Sequence, residues 1–231
     1  MTQLKRLKAP SFWPVERKNR KYIVPPVPGA HSVQNSMPLG VVLRDVLKCA
    51  KTMKEARYIL NRGLVSIDGA RKKDKNFGAG VMDVLKVGDD SYRIIPGKAG
   101  FRFQKVSGGE ATFKLMRVRN KKTLRKGRTQ INFHDGRNMI VSKDEFRTGD
   151  VVVFDFQKKE IKQKIKFEEG STIVVMKGRS RGAVGKIDGI KTTKGSKPNE
   201  VTVSIGSGSI VLPKDYVFVI GPDKPVITMG E

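Results

Sequence analysis

Residues 174–190 read VVMKGRSRGAVGKIDGI. Glycines stand at 178, 182, 185 and 189, and basic residues at 177, 179, 181 and 186. Apolar residues alternate around them, as along a half-buried strand. The pattern predicts a short strand, a glycine-bent basic loop over 177–186, and a second short strand, with Val184 and Ile187 on the strands that flank the loop. Gly178, Gly182 and Gly185 permit positive φ and a close approach of backbone amides to a phosphate or a base. Lys177, Arg179, Arg181 and Lys186 supply the charge. A glycine-rich hairpin with incidental charge is the plainer alternative. A nucleotide phosphate loop is disfavoured, because that pattern runs Gly-Lys-Ser/Thr into a helix, whereas Gly185-Lys186 is followed by Ile187 on a strand. The runs VTVSI, SIVLP and YVFVI then supply the strands of a small barrel over 171–231.

The rest of the composition agrees with a charged partner. The 231 residues hold 47 Lys+Arg against 22 Asp+Glu, a formal net charge of +25. The pI is about 10.3. Like charges at that density repel in a compact fold unless a polyanion neutralises them. Nucleic acid is the first candidate and an anionic membrane the second. No apolar run approaches the length of a membrane span. Lys5, Arg6 and Lys8 have no apolar run behind them, so the N-terminus does not read as a secretory signal. Hydrophobic residues make up 38% of the chain, which favours several small cores over one large one. Cys49 is the sole cysteine, and His31 and His134 are the two histidines. They make neither a disulfide nor a zinc site. Cys49 is expected as a small buried residue of an amphipathic helix, and the chain suits a reducing cytosol.

Residues 1–36 carry Lys5, Arg6, Lys8, Arg17, Lys18, Arg20 and Lys21 against the one acid Glu16. Prolines at 10, 14, 25, 26 and 28 interrupt helix and sheet alike. The expectation is an extended basic tail with no core of its own, ordered on RNA. Its aromatics Phe12, Trp13 and Tyr22 would stack on bases or, in the alternative, dock on the parent domain. Leu39, Val42, Leu43, Val46, Leu47 and Ala50 follow helical spacing. Thr52 and Glu55 form a capping box that opens a second helix, which Gly63 ends. LVSIDGARKKD reads as strand, Asp68-Gly69 turn, strand. Arg57 and Arg62 point off the apolar helix face, and with Lys72 and Lys73 they define one basic side.

From 101 to 170 the short runs FRFQKV, ATFKLMRV, TQINF, MIVS and DVVVFDF, divided by glycine turns, suggest a small β-barrel or sandwich. Between them RVRNKKTLRKGR, residues 117–128, has seven bases (Arg117, Arg119, Lys121, Lys122, Arg125, Lys126 and Arg128) and no acid. A run so dense favours phosphate contact over a merely solvated face. The sequence HDGR at 134–137 reads as a turn between strands.

The stretch from MPLGVVLRDVLKCA through KEARYIL, Gly63 and VSIDG resembles the S-four-type RNA-binding domain, which lays its second helix and hairpin on structured RNA. The stretch 174–190 resembles the KOW motif, about half of an SH3-like β-barrel. Taken with LKRLKAPSFWP, RYILNRGLVSIDGARKKD, GVMDVL, INFHDGRN, TGDVVVFDF and MKGRSRGAVGKI, the whole chain resembles the S-four-e family of small-subunit ribosomal proteins, with the length of an archaeal member.

The resemblance implies an α+β multidomain chain. Its parts are a basic extended tail (1–36), a helix-helix-hairpin RNA-binding module (37–100), a central β domain (101–170) and a C-terminal SH3-like barrel (171–231). It implies a structural, non-catalytic protein of the cytoplasmic ribosome that supports subunit assembly. Its partners would be small-subunit ribosomal RNA and neighbouring ribosomal proteins, with no membrane, small-molecule substrate, cofactor or metal. Binding would fall to the tail bases with Trp13, to Arg57, Arg62, Lys72 and Lys73, to the bases of 117–128, and to the loop at 177–186.

Two other classes use similar modules. An RNA pseudouridine synthase needs a catalytic aspartate in a GRLDxxTxGLL-like tract. The nearest fragment, HDGRNMIVSKDEF, puts its aspartate before Gly-Arg and lacks the rest. A KOW-containing transcription or assembly factor would bind only transiently.

Overall fold

The computed structural model describes residues 3–142, 144–206 and 208–230, and the side chain of Lys126 also lies outside the description. The chain forms two compact units, residues 1–95 with 99–114, and residues 96–98 with 115–231.

The first unit begins with a minimal hairpin. β1 (Leu4–Lys5) pairs antiparallel with β2 (Tyr22–Ile23). The N-terminal segment is therefore not the coreless tail its composition suggests. Trp13 is 2% exposed and its indole N–H donates to the Ser36 carbonyl at 2.9 Å. The Phe12 ring lies 4.7 Å from that of Phe101, and the Phe101 amide donates to the Phe12 carbonyl. Arg6, also 2% exposed, donates to the Glu16 carbonyl and faces Asp45 at 3.7 Å. The Arg17 guanidinium closes the segment on the Ala9 and Pro10 carbonyls, both at 2.8 Å. Proline blocks regular structure here, so side chains, and not a ladder, satisfy the backbone. The apolar partners come from later in the chain.

β3 (Ser36–Pro38) leads into α1 (Leu39–Val41), which continues as a π-helical turn over Val42–Val46. The apolar stripe predicted there is buried at Leu39, Val42, Leu43 and Ala50. The helix is shorter than its periodicity, because the chain reverses at Lys48 with φ +54°. Cys49 follows that reversal and is exposed, not buried as expected. α2 (Met53–Asn61) has the predicted cap. The Glu55 amide donates to the Thr52 hydroxyl, and the Glu55 carboxylate accepts from the Lys51 amide at 2.8 Å. The Lys51 amide, helped by the Thr52 hydroxyl, holds the Glu55 carboxyl below its usual range. Gly63 stops the helix with φ +72°.

β4 (Val65–Ile67) and β5 (Ala70–Arg71) form the predicted hairpin. Asp68 and Gly69 take φ +50° and +77°, the signature of the primed turn that suits strand twist. β6 (Gly78–Gly80) pairs with β3. β7 (Val84–Val87), β8 (Asp90–Gly97) and β9 (Gly100–Val106) complete a sheet of order β5-β4-β7-β8-β9. The run FRFQKV is thus the edge of this first sheet, not the first strand of a central domain.

A buried ionic cluster lies in this unit. The Lys114 ammonium donates to Asp68 at 2.9 Å and to Asp83 at 2.5 Å. His31 Nε2 lies 3.1 Å from both Asp83 carboxylate oxygens. The amides of Gly80 and Val84 donate to Asp83 and Asp68 respectively. Burial pushes the Asp68 carboxyl up against the pull of Lys114. At Asp83 the same burial is outweighed by Lys114 and His31, which hold it low. Arg93 is 0% exposed and donates to the Glu110 and Phe113 carbonyls, and burial lowers its pKa to about 10.

The second unit contains two five-stranded antiparallel sheets. β10 (Phe113–Thr123), β11 (Thr129–Phe133), β12 (Asn138–Val141), β13 (Val151–Asp155) and β14 (Ile161–Ile165) form the order β12-β11-β10-β13-β14. Met116, Val118, Ile131, Phe133, Val152 and Phe154 make its core. β15 (Thr172–Val175), β16 (Val184–Lys191), β17 (Glu200–Ile205), β18 (Gly208–Pro213) and β19 (Val217–Gly221) form the order β18-β17-β16-β15-β19. β13, β15 and β19 are buried at every position, while β17 alternates. β19 packs against β13 and β14, where the two sheets meet. The two sheets fall in the central and C-terminal stretches of the chain and belong to one compact unit.

Candidate nucleic-acid interface

The loop read first from the sequence joins β15 to β16. Gly178 and Gly182 have φ +90° and +83°. The Gly182 amide donates to the Val175 carbonyl at 2.8 Å, which ties the loop to its strand. A Cβ on Gly182 would lie 2.8 Å from Gly97 Cα and 2.9 Å from the Pro96 carbonyl oxygen. Gly185 differs: its φ is not positive, and a Cβ there would run into the Ser204 carbonyl of paired β17. Val184 opens β16 and is exposed, and Ile187 is buried in the sheet core. Lys177, Arg179 and Lys186 are exposed. Lys186 lies 4.0 Å from Asp223. Arg181 is half-buried, and burial lowers its pKa.

The bases of 117–128 divide. Arg119, Lys122, Arg125 and Arg128 are exposed along β10 and the turn into β11. Lys121 is paired with Asp144 at 2.7 Å. Arg117 is half-buried, donating to the Asp215 and Val217 carbonyls at 3.2 and 3.0 Å, so it is not part of the outer face. Lys126 was expected in this set, and its side chain lies outside the described residues. HDGR forms the predicted turn: Gly136 has φ +77°, and Asp135 accepts from the Arg137 amide at 3.1 Å.

In the first unit Lys5, Lys8, Lys18, Arg20 and Lys21 are exposed, as are Arg57, Arg62 and Lys73. Arg62 rests 4.6 Å over the Tyr58 ring, and half-buried Lys72 lies 4.5 Å over Phe77. Two expected contact residues, Trp13 and Arg6, are buried, while half-buried Arg17 donates to backbone carbonyls. An indole at 2% exposure has no free face for a base.

Burial is asymmetric in sign. Among the described residues, five aspartates are buried (Asp68, Asp83, Asp135, Asp150 and Asp155) against three cations, Arg6, Arg93 and Lys114. The outer shell is therefore more positive than the chain as a whole, the property that drives counterion release from a polyanion. Sequence reasoning also missed a cationic hollow in the second unit. Arg117, Arg119, Lys197 and Lys214 line it with Phe167 and Gly149. Lys197 follows Lys191 and Lys194 in a sparse run, and Lys214 adjoins Asp215; neither run has the density of bases at 117–128 that drew the reading there.

Comparison with known proteins places this architecture. The family model described as ribosomal family S4e matches residues 88–161, and the RS4NT domain matches residues 2–34. The small ribosomal subunit protein eS4 of Methanothermobacter thermautotrophicus is 44% identical over 230 residues, covering 98% of this chain and 95% of that one. The eS4 of Pyrobaculum islandicum is 41% identical over 237 residues, covering all of both chains. The crystal structure of the 30S ribosomal protein S4e from Thermoplasma acidophilum aligns with a TM-score of 0.72 at 31% identity, covering 81% of this chain and 95% of that one. The chain belongs to the S4e (S-four-e) family of small-subunit ribosomal proteins.

Proposed function

We propose that the protein is a structural, non-catalytic constituent of the small ribosomal subunit, bound to ribosomal RNA in the cytoplasmic ribosome beside neighbouring ribosomal proteins. The observation that carries this reading is the likeness, over nearly the whole of each chain, to relatives named small ribosomal subunit protein eS4. The surface supports it physically, since among the described residues five aspartates are turned inward against three cations, which leaves the exterior the more positive. The loop at 177–186, the outer bases of 117–128, the exposed bases of 5–21, and Arg57, Arg62, Lys72 and Lys73 make the RNA contacts in this reading. His134 and Asp135, the one His-Asp pair adjacent in sequence, lie at a turn between strands. Sedimentation tests the proposal. The full chain is expected to travel with small subunits through a high-salt wash. Release into the soluble fraction would instead mark a transient factor.

A further inference from the structure

The hollow in the second unit has four cations on its lining, Arg117, Arg119, Lys197 and Lys214, against the one carboxylate Asp215. Its volume is about 370 Å³, within the range of small-ligand sites. Arg117 projects from β10, and its Nη1 donates to the Asp215 and Val217 carbonyls. Lys214 follows β18, and its Nζ donates to the Thr148 carbonyl at 2.7 Å while lying 4.9 Å over the Phe167 ring. Gly149, at φ +103°, makes room: a Cβ there would lie 2.7 Å from Lys214 Cε. Among the described residues neither cation forms a salt bridge. Burial lowers the pKa of both.

Carbonyl oxygens orient these two charges but do not cancel them, and a buried charge is costly until it is paired. Asp215 is the one carboxylate on the lining. Asp150 also acts on Lys214, but it is bound by Lys164 at 3.1 Å and by the amides of Arg147 and Phe167. Exposed Arg119 and Lys197 add two further cations at the rim. The Phe167 ring already carries Lys214 on its face, which leaves charge recognition, and not base stacking, as the chemistry on offer.

We propose that this hollow seats a phosphate group, namely a phosphodiester of an RNA strand that enters past Arg119 and Lys197. The inference rests on the RNA-binding reading above and assigns it a recessed contact separate from the glycine loop.

The test uses the full chain with naked small-subunit RNA and, separately, with inorganic phosphate. Salt titration should show Lys214→Gln binding about 10- to 100-fold more weakly than wild type, with a log–log slope shallower by about one. Lys214→Arg should keep the slope. Lys197→Gln, on the exposed rim and safe for the fold, should also flatten it. In the second arm, thermal melting is followed with and without inorganic phosphate at matched ionic strength. A phosphate-induced rise lost in Lys214→Gln, beside an unchanged RNA slope, would keep the phosphate site and make free phosphate its occupant. Unchanged slopes in both Gln variants with no phosphate effect overturn the proposal, and an acidic protein segment would then be the better candidate. A wild-type chain that fails to bind small-subunit RNA would instead sink the RNA-binding reading itself.

Discussion

Gly182→Val and Arg179→Ala separate the two demands on the basic loop. Gly182 sits at φ +83°, a region that costs a residue with a Cβ roughly 1–2 kcal/mol, and more for a branched one. Its Cβ would also meet the backbone of Pro96 and Gly97 at 2.8–2.9 Å, and backbone does not rotate aside. Overpacking of that kind adds about 1–3 kcal/mol. The expected destabilisation is therefore about 2–5 kcal/mol, read as a lower melting temperature, with RNA affinity lost alongside. Arg179 is exposed, so Arg179→Ala should leave the stability within about 0.5 kcal/mol of wild type and the melting temperature little changed. It should weaken RNA binding by roughly 1–3 kcal/mol through the lost charge-assisted contact. Arg181→Ala is a less clean probe, since its half-buried side chain also packs. Thermal melting and filter binding on the same proteins decide the matter. A folded Arg179→Ala variant with wild-type affinity would refute the reasoning, and the loop's charge would be only a solvated face.

Other outcomes follow from the same structure. Lys114→Met strips the shared cation from Asp68 and Asp83 and should cost about 3–5 kcal/mol at neutral pH by chemical denaturation. In the wild type, depressed Asp83 gives stability that is present above its unfolded value near about 4 and lost as pH falls through its folded one. In the variant Asp68 loses its cation and Asp83 keeps only His31, so burial penalises both carboxylates more and favours their protonation. The gap between the proteins should therefore narrow toward acid, and a gap independent of pH would contradict the assignment. Trp13, the sole tryptophan, should fluoresce as a buried indole and resist soluble quenchers before any RNA is added. Emission typical of exposed indole would restore the loose-tail picture. RNA affinity should fall about 10³- to 10⁵-fold between 50 and 200 mM salt if roughly six to ten phosphates are neutralised, and a flat response would count against a phosphate-dominated interface.

Local chemistry was legible where it is written into neighbouring residues. Thr52 with Glu55, Gly63, and the Asp68-Gly69 turn each announce a backbone requirement within four residues, and each forms as read. Gly178 and Gly182 bend the loop for the same reason. What composition could not reveal is where a side chain finds its partner. Trp13 is bonded to Ser36, 23 residues on, and Lys114 reaches back 46 residues to Asp68. A basic, proline-rich segment looks the same whether its aromatics face RNA or a neighbouring core. Lys114 sits in a strand run, FKLMRV, whose alternation gives no hint that its ammonium is buried. The boundary near 114 was hidden because β9 and β10 have the same strand composition, and only pairing assigns them to different sheets. The hollow around Lys214 combines residues far apart in the chain and has no local signature.

The most direct test of the central claim is a protein–RNA cross-linking map on intact small subunits that contain this chain. Cross-links should concentrate on Lys177, Arg179, Lys122, Arg125, Arg57 and Lys73, and be absent from Trp13 and Arg6, which the fold keeps inside. A map in which those exposed cations meet only protein, or in which Trp13 is joined to a base, would contradict the account.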